Sequence, residues 1–210
     1  MHLLAFTPID VDVAELQRRQ DRYDQLSPAG ITVELRNIGA DAPSALDTDV
    51  DIRRSEDVLA TAFRSVHETE ADGFLPDCVL DPCAEEADSF ARPLYGLTRL
   101  TASFYASQGH RLGALARNDA IAAEMDRRLR FYGVVAEATE VLGLGVHDIA
   151  DTGAWGRAVA EHASKLRCTI AINACSAVDL VDPPASPQVV DPTATALRLL
   201  GLRSELQVHA

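Results

Sequence analysis

The pattern that most restricts this chain is an alternation of short apolar runs with longer amphipathic stretches. Residues 2–6, 31–35 and 73–76 have strand length and composition. Residues 12–26 and 52–69, lying between them, space their apolar side chains at helical intervals. Val11 and Ala14, then Val58, Leu59, Ala62, Phe63 and Val66, form the stripes expected to be buried. A strand–helix–strand order predicts a parallel sheet with helices on both faces. Right-handed crossovers then bring every strand's C-terminal end to one rim, where such sheets bind ligands.

After Pro93-Leu94-Tyr95-Gly96 the alternation begins again. Helices are predicted over 97–108, 120–132 and 152–166, strands over 111–116, 134–138 and 168–174, and a short closing helix over 193–200. Asp182-Pro183-Pro184-Ala185-Ser186-Pro187 reads as a loop or crossover between the halves. The repetition predicts two α/β lobes of about 100 residues each, a common domain size. Residues 1–95 with 190–210 form the first, and 96–189 the second.

Composition removes several classes of function. Nineteen basic residues against 32 acidic ones leave a formal charge of -13, a field that repels a phosphate backbone, so no nucleic-acid partner is expected. No run approaches the roughly 18 consecutive apolar residues of a membrane span, and no membrane partner is expected. Met1–Phe6 lacks the basic start of a signal peptide and runs into Thr7-Pro8, so it reads as a strand of a cytoplasmic protein. In that compartment structural disulfides are disfavoured, which leaves the cysteines at 78, 83, 168 and 175 to be explained.

No Cys-x-x-Cys pair is present and the histidines show no paired spacing, so no metal site is expected. Gly143-Leu144-Gly145 lacks the strand-to-helix setting of a dinucleotide fingerprint. A Gly-x-Ser-x-Gly elbow is missing, which removes ordinary serine-hydrolase chemistry. Arg127-Arg128-Leu129-Arg130 and Arg18-Arg19 read as solvated helix faces.

Free cysteine usually behaves as a small buried hydrophobe, and Cys168, at the start of an apolar strand, fits that description. Cys78 and Cys175 occupy a more particular place. Each lies just past the third strand of its half, where the next helix is expected to begin. Free N–H groups and the positive end of the helix dipole would lower a thiol's pKa there. Facing each other across a central cleft, one thiolate removes a proton from a carbon while the opposite thiol delivers one to the other face. That is a two-base racemisation or epimerisation without metal or organic cofactor. The developing enolate requires N–H donors to hold it.

Four segments then carry a resemblance. Asp72-Gly73-Phe74-Leu75-Pro76-Asp77-Cys78-Val79-Leu80-Asp81-Pro82 resembles the first cysteine motif of the aspartate/glutamate/hydantoin racemase superfamily. Its Cys-x-x-Asp-Pro portion is most similar to the hydantoin and allantoin racemase branch. Ile172-Asn173-Ala174-Cys175-Ser176-Ala177-Val178-Asp179 resembles the second motif, and Val189-Val190-Asp191-Pro192-Thr193-Ala194 the closing Val-Ile-Asp-Pro segment. Arg92-Pro93-Leu94-Tyr95-Gly96 falls at the Pro-Val-x-Gly crossover. The order is kept over nearly the whole chain. The resemblance implies two flavodoxin-like lobes related by pseudo-twofold symmetry, each a parallel sheet flanked by helices. It also implies an active site between the lobes, Cys78 and Cys175 as the acid/base pair, no cofactor, and a homo-oligomer. Cys83 falls on the glycine of an Asp-Pro-Gly and is a neighbour rather than a catalyst.

The departures bear on substrate. Thr7-Pro8-Ile9-Asp10 stands where hydantoin racemases have Asn-Pro-Asn, and Asp77, Leu80 and Asn173 replace glycines that flank the cysteines. Thr7, Val79, Asn118 and Ser176 are the candidate substrate-binding residues around the cleft; capping of the following helix is the competing role, above all for Asn118. Asp77 is expected to point away from Cys78, and Asp81 and Asp179 to be first-turn acids of helices. The substrate expected is a cyclic imide, an amino-acid derivative or a small carboxylate. The acidic field favours a neutral or monoanionic imide unless Arg99, Arg117 or backbone N–H groups offset it. Maleate-type cis–trans isomerisation, arylmalonate-type decarboxylation and a non-catalytic ligand-binding role are the competing functions. The altered positions 7, 77 and 173 are the support for the last.

Overall fold

The computed structural model describes residues 1–180 and 182–208. The apolar runs become two parallel sheets. In the first, β1 (His2–Phe6) lies between β2 (Thr32–Arg36) and β3 (Gly73–Pro76), with His2 opposite Thr32 and Leu3 opposite Gly73. In the second, β4 (Leu112–Ala116) lies between β5 (Glu140–Val141) and β6 (Ile170–Asn173), and β7 (Gln188–Val190) adds an outer strand beside β6. Both sheets repeat one order, second strand, first strand, third strand. β1 therefore corresponds to β4 and β3 to β6. In such an order the crossovers diverge between the first and third strands, and the crevice at their C-terminal ends is where ligands bind.

Helices α1 (Val13–Leu26), α2 (Asp49–Ser65), α3 (Leu97–Ser107), α4 (Asp119–Phe131), α5 (Thr152–Ala163) and α6 (Pro192–Val208) cover the sheets. The inner strands are buried on both faces, which is why β4 and most of β1 are apolar throughout rather than alternating. One central cluster joins Leu3, Ala5 and Leu75 of the first sheet to Leu112, Ala114 and Ile172 of the second. Gly113 allows the close approach of Cys168, whose sulfur would sit 3.0 Å from a Cβ at that position. No helix among the described residues is long and apolar enough to cross a membrane.

Local chemistry sets the helix starts. Asp12, Asn118 and Asp151 cap α1, α4 and α5 with their side chains, and Thr48 with Asp51 forms a capping box on α2. That box starts α2 at Asp49, ahead of the expected 52. The start of α3 has only Gly96 as its cap residue, and the missing acceptor comes from the cysteine motif. Asp81, fully buried, accepts from the N–H groups of Thr98 (3.0 Å) and Arg99 (2.7 Å) and from the hydroxyl of Tyr132 (2.9 Å). Asp81 is thus a first-turn acid for α3, not for a helix of its own.

Several expectations are corrected. Residues 134–138 meet β4 at a single bridge, Leu112 to Ala136, and the second strand forms later at Glu140–Val141. Val135 is 92% exposed, so that run lacks the burial an inner strand needs. α6 is much longer than 193–200, reaching Val208. Ala14 is exposed, and the buried face of α1 is instead Arg19, Arg22 and Tyr23. Arg19 and Arg128 are not solvated: both are buried because carboxylates meet them, Glu15 and Asp77 for the first and Glu124 for the second.

Two measurements test the Asp81 cap. A Cβ at Gly96 would lie 2.3 Å from the Asp81 carboxylate, so Gly96→Ala is expected to cost about 1–3 kcal/mol in urea unfolding, as overpacking does. Burial pushes the Asp81 carboxyl up to about 6 in spite of its N–H donors. A raised folded-state pKa gives stability that is complete below the unfolded value, about 4, and is lost as pH rises through about 6. The stability of the native chain relative to Asp81→Asn is therefore expected to fall across that window, by no more than about 1.4 kcal/mol per pH unit. A flat difference would contradict the burial.

Candidate active site

Corresponding strand ends present the two cysteines. β3 ends at Pro76 and Cys78 follows two residues later; β6 ends at Asn173 and Cys175 follows two residues later. Both thiols line one cavity of about 60 Å³, together with Val79, Ser176, Arg19 and Arg117. The remaining walls are largely apolar and include Ile9, Leu46, Ile121 and Trp155. The volume is a few times what one water molecule's centre needs, about 10–15 Å³.

Neither cysteine enters a helix, which corrects the expected activation by a helix end. A turn follows each, and after Cys78 the chain passes through Cys83 into a 3-10 segment, Ala84–Ser89. Burial pushes both thiols up, the reverse of the expected direction. For Cys78 the N–H of Leu80 opposes the shift, while the Asp77 and Asp81 carboxylates add to it. For Cys175 the N–H of Ala177 and the Arg19 guanidinium oppose it, Asp77 adds to it, and Arg22 opposes it. The two sites share a backbone plan but differ in the charge around them.

A hydrogen bond ties the turns together. The Ser176 hydroxyl donates to the backbone carbonyl of Asp77 at 3.0 Å, so the residue after one cysteine holds the residue before the other. The Asp77 carboxylate turns to α1, accepting from Arg19 Nη1 (3.0 Å) and the Tyr23 hydroxyl (2.9 Å). Arg22, one turn further along α1, donates to the carbonyl of Val178 (3.0 Å) and to Asp191 (2.5 Å). Asp191 in turn accepts from the N–H groups of Thr193 and Ala194 at the start of α6. One face of α1 therefore braces both cysteine turns.

Asn173 braces the second turn from the other side. Its Oδ1 accepts from Trp155 Nε1 at 3.0 Å, its Nδ2 donates to the Cys175 carbonyl at 3.3 Å, and the Cys175 N–H returns to the Asn173 carbonyl at 2.8 Å. Asp77 and Asn173, which replace motif glycines, thus each have buried partners of their own. Cys83 has a φ of +66°, the left-handed region glycine favours, and it occupies the glycine position of the resemblance. Its N–H donates to Glu56, and burial pushes its thiol up to about 12.

The candidate binding residues divide. Val79 and Ser176 line the cavity. Thr7 is fully buried, donating to Asn37 and accepting from the Ile38 N–H, and its successors Pro8 and Ile9 line the cavity instead. Asn118 caps α4 and donates to the Leu46 carbonyl, so it too is spent outside the cavity. Arg117 does line it, but bonds Asp47 and the Leu46 carbonyl. Asp179 is exposed beside Arg22 and belongs to no helix. Arg19, Arg22, Tyr23 and Trp155 were not expected in the site. The i, i+3, i+4 spacing of Arg19, Arg22 and Tyr23 on an otherwise amphipathic helix is the available signal.

Trp155→Phe keeps most of the packing and leaves the Asn173 oxygen buried without a donor. The expected cost is about 1–3 kcal/mol by chemical denaturation. An unchanged midpoint would show that the Trp155–Asn173 bond does not hold the turn.

No protein-family model matches the chain, and no curated protein does. Solved structures do. An allantoin racemase from Klebsiella pneumoniae superposes with a TM-score of 0.77 at 15% identity, over 99% of this chain and 89% of that one. An allantoin racemase from Pseudomonas fluorescens gives 0.80 at 12% identity, over 99% and 92%. A maleate isomerase from Pseudomonas putida S16 gives 0.66 at 11%, over 97% and 93%. At these identities the likeness is one of architecture. The chain shares the α/β fold of these racemase and isomerase structures.

Proposed function

We propose that the chain is a cofactor-independent isomerase of the hydantoin racemase type, moving a proton at a carbon next to a carbonyl between Cys78 and Cys175. The observation that carries this reading is that thiols from corresponding strand ends of the two sheets line a single cavity. One sulfur, as thiolate, takes the proton, and the C–H electrons pass to the carbonyl oxygen as an enolate. The opposite S–H then gives its proton to the other face of the carbon, and the double bond to oxygen re-forms. Val79 and Ser176 shape the ring's seat, Ser176 chiefly by holding its own turn against Asp77.

The walls favour a substrate class. Both cavity arginines have carboxylate partners, Glu15 and Asp77 for Arg19 and Asp47 for Arg117, so little free positive charge remains to hold a dianion. A neutral or monoanionic cyclic imide with a small substituent suits that field, and maleate-type chemistry suits it less. The buried partners of Asp77 and Asn173 support a built site over a decayed, non-catalytic one.

A single enantiomer of each of several 5-substituted hydantoins, followed by chiral chromatography, tests the reading. Racemisation is expected with the native chain and is lost by about 10²–10⁴-fold in Cys78→Ala and in Cys175→Ala. Because burial pushes both thiols up, kcat/KM is expected to go on rising with pH past the ordinary thiol value of about 8.5 instead of levelling off there. No racemisation of any hydantoin or amino-acid derivative, or activity unchanged in either alanine variant, would overturn it.

A further inference from the structure

The last helix is apolar on more than the face that its own fold covers. Ala196, Leu197 and Leu200 of α6 lie in the central core, and Thr193 and Gly201 are buried beside them. A helix on the surface of a domain normally turns polar on its other side. The opposite face of α6 instead carries Leu199, Leu202 and Leu206. Leu199 is half-buried, Leu202 is 51% exposed and Leu206 is 65% exposed. With Thr195 one turn earlier, positions 195, 199, 202 and 206 keep the alternating four-three-four spacing of a seam along which two helices pair.

The charges beside this stripe point to what covers it. Arg198 and Glu205 lie on one flank of the stripe, and both are exposed. Seven residues apart, they are beyond the three- and four-residue spacings at which one helix pairs its own charges. A second α6 running antiparallel about a twofold axis brings Arg198 of each copy beside Glu205 of the other. Arg203, on the other flank, is held within its own chain, donating to the Tyr95 hydroxyl at 2.7 Å with its guanidinium 5.4 Å from the ring centre. α6 bears two arginines against one glutamate in a chain of net charge -13. It is therefore a face on which two copies meet without the repulsion that the acidic excess imposes elsewhere.

We propose that α6 is a docking surface for a second copy of this chain. The two Leu199–Leu202–Leu206 stripes lie together antiparallel, and Arg198 of each copy pairs with Glu205 of the other. The contact is isologous: the same patch serves both copies, and every pair occurs twice. The leucines supply the attraction, and the flanking charges fix direction and register, because a parallel pairing would set Arg198 against Arg198 and Glu205 against Glu205. One helix pair lies at the low end of specific interfaces, about 1,200 Å² of buried surface, so a dissociation constant on the order of micromolar is expected. None of the described residues lining the cysteine cavity belongs to α6, so the dimer and the isomerase reading stand or fall separately.

Sedimentation equilibrium over a range of concentrations at low ionic strength tests the contact. The mass of the native chain is expected to rise from that of one copy towards that of two. Leu202→Glu changes an exposed side chain, and is expected to stay at the mass of one copy with its far-UV circular dichroism unchanged. Arg198→Glu and Glu205→Arg each set like charges together at both symmetry-related contacts, and each is expected to weaken the dimer about three- to tenfold. The double variant Arg198→Glu/Glu205→Arg restores opposite charges and is expected to return the native constant within about twofold. A native chain that keeps the mass of one copy throughout would hand the stripe to a different partner and overturn the proposal. A dimer that Leu202→Glu leaves intact, or a double variant weaker than either single one, would overturn it equally.

Discussion

The site depends on a hydrogen bond between two turns that lie 99 residues apart, from the Ser176 hydroxyl to the Asp77 carbonyl. Each sheet delivers a cysteine to the shared crevice by the same local route, two residues beyond a buried third strand. Nothing in that route fixes one turn relative to the other. The Ser176 bond does so directly, and α1 reinforces it by gripping Asp77 through Arg19 and Tyr23 and Val178 through Arg22. A bond between neutral groups contributes only about 1 kcal/mol net, but leaving its buried members unpaired costs more. That difference favours one relative placement of the thiols.

The buried arginines carry a second consequence. Arg19, Arg22, Arg117 and Arg128 are all nearly inaccessible in a chain whose net charge is -13. Burying a cation is costly unless carboxylates and carbonyls surround it, and such pairs are poor evidence of stability by themselves. Here each is met by acidic residues, so the acidic excess is partly structural. Three of the four sit at or near the cavity, where they fix turns and leave little positive charge unspent. The cavity is consequently less electrostatically extreme than the chain as a whole.

Much of the fold was legible in the sequence, because inner parallel strands must be continuously apolar and the helices between them amphipathic. Residues 2–6 and 73–76 emerge with the bounds that this rule predicts. Where burial weakens the rule fails: Val135 is apolar yet exposed, and pairing is displaced to Glu140–Val141. The cysteines were legible from their motifs and their matching positions. Their electrostatic setting was not, because it depends on contacts such as Arg19 with Asp77 and Trp155 with Asn173 that no local pattern encodes. Arg19 looks like half of a surface Arg-Arg pair until the fold brings it to Asp77, just past the end of β3. Thr7 and Asn118 were drawn to the site by lying at strand ends, yet backbone groups nearby claim their side chains first.

The central claim is that protons leave and arrive on opposite faces through different sulfurs. Its most direct test is the reaction of one hydantoin enantiomer in D₂O, stopped at low conversion, with the isotope content of both enantiomers measured after chiral separation. Two thiols acting in sequence place deuterium at the stereocentre of the product while the remaining substrate keeps its hydrogen. Product that retains the substrate's own hydrogen, or label appearing equally in both enantiomers from the outset, would contradict the account.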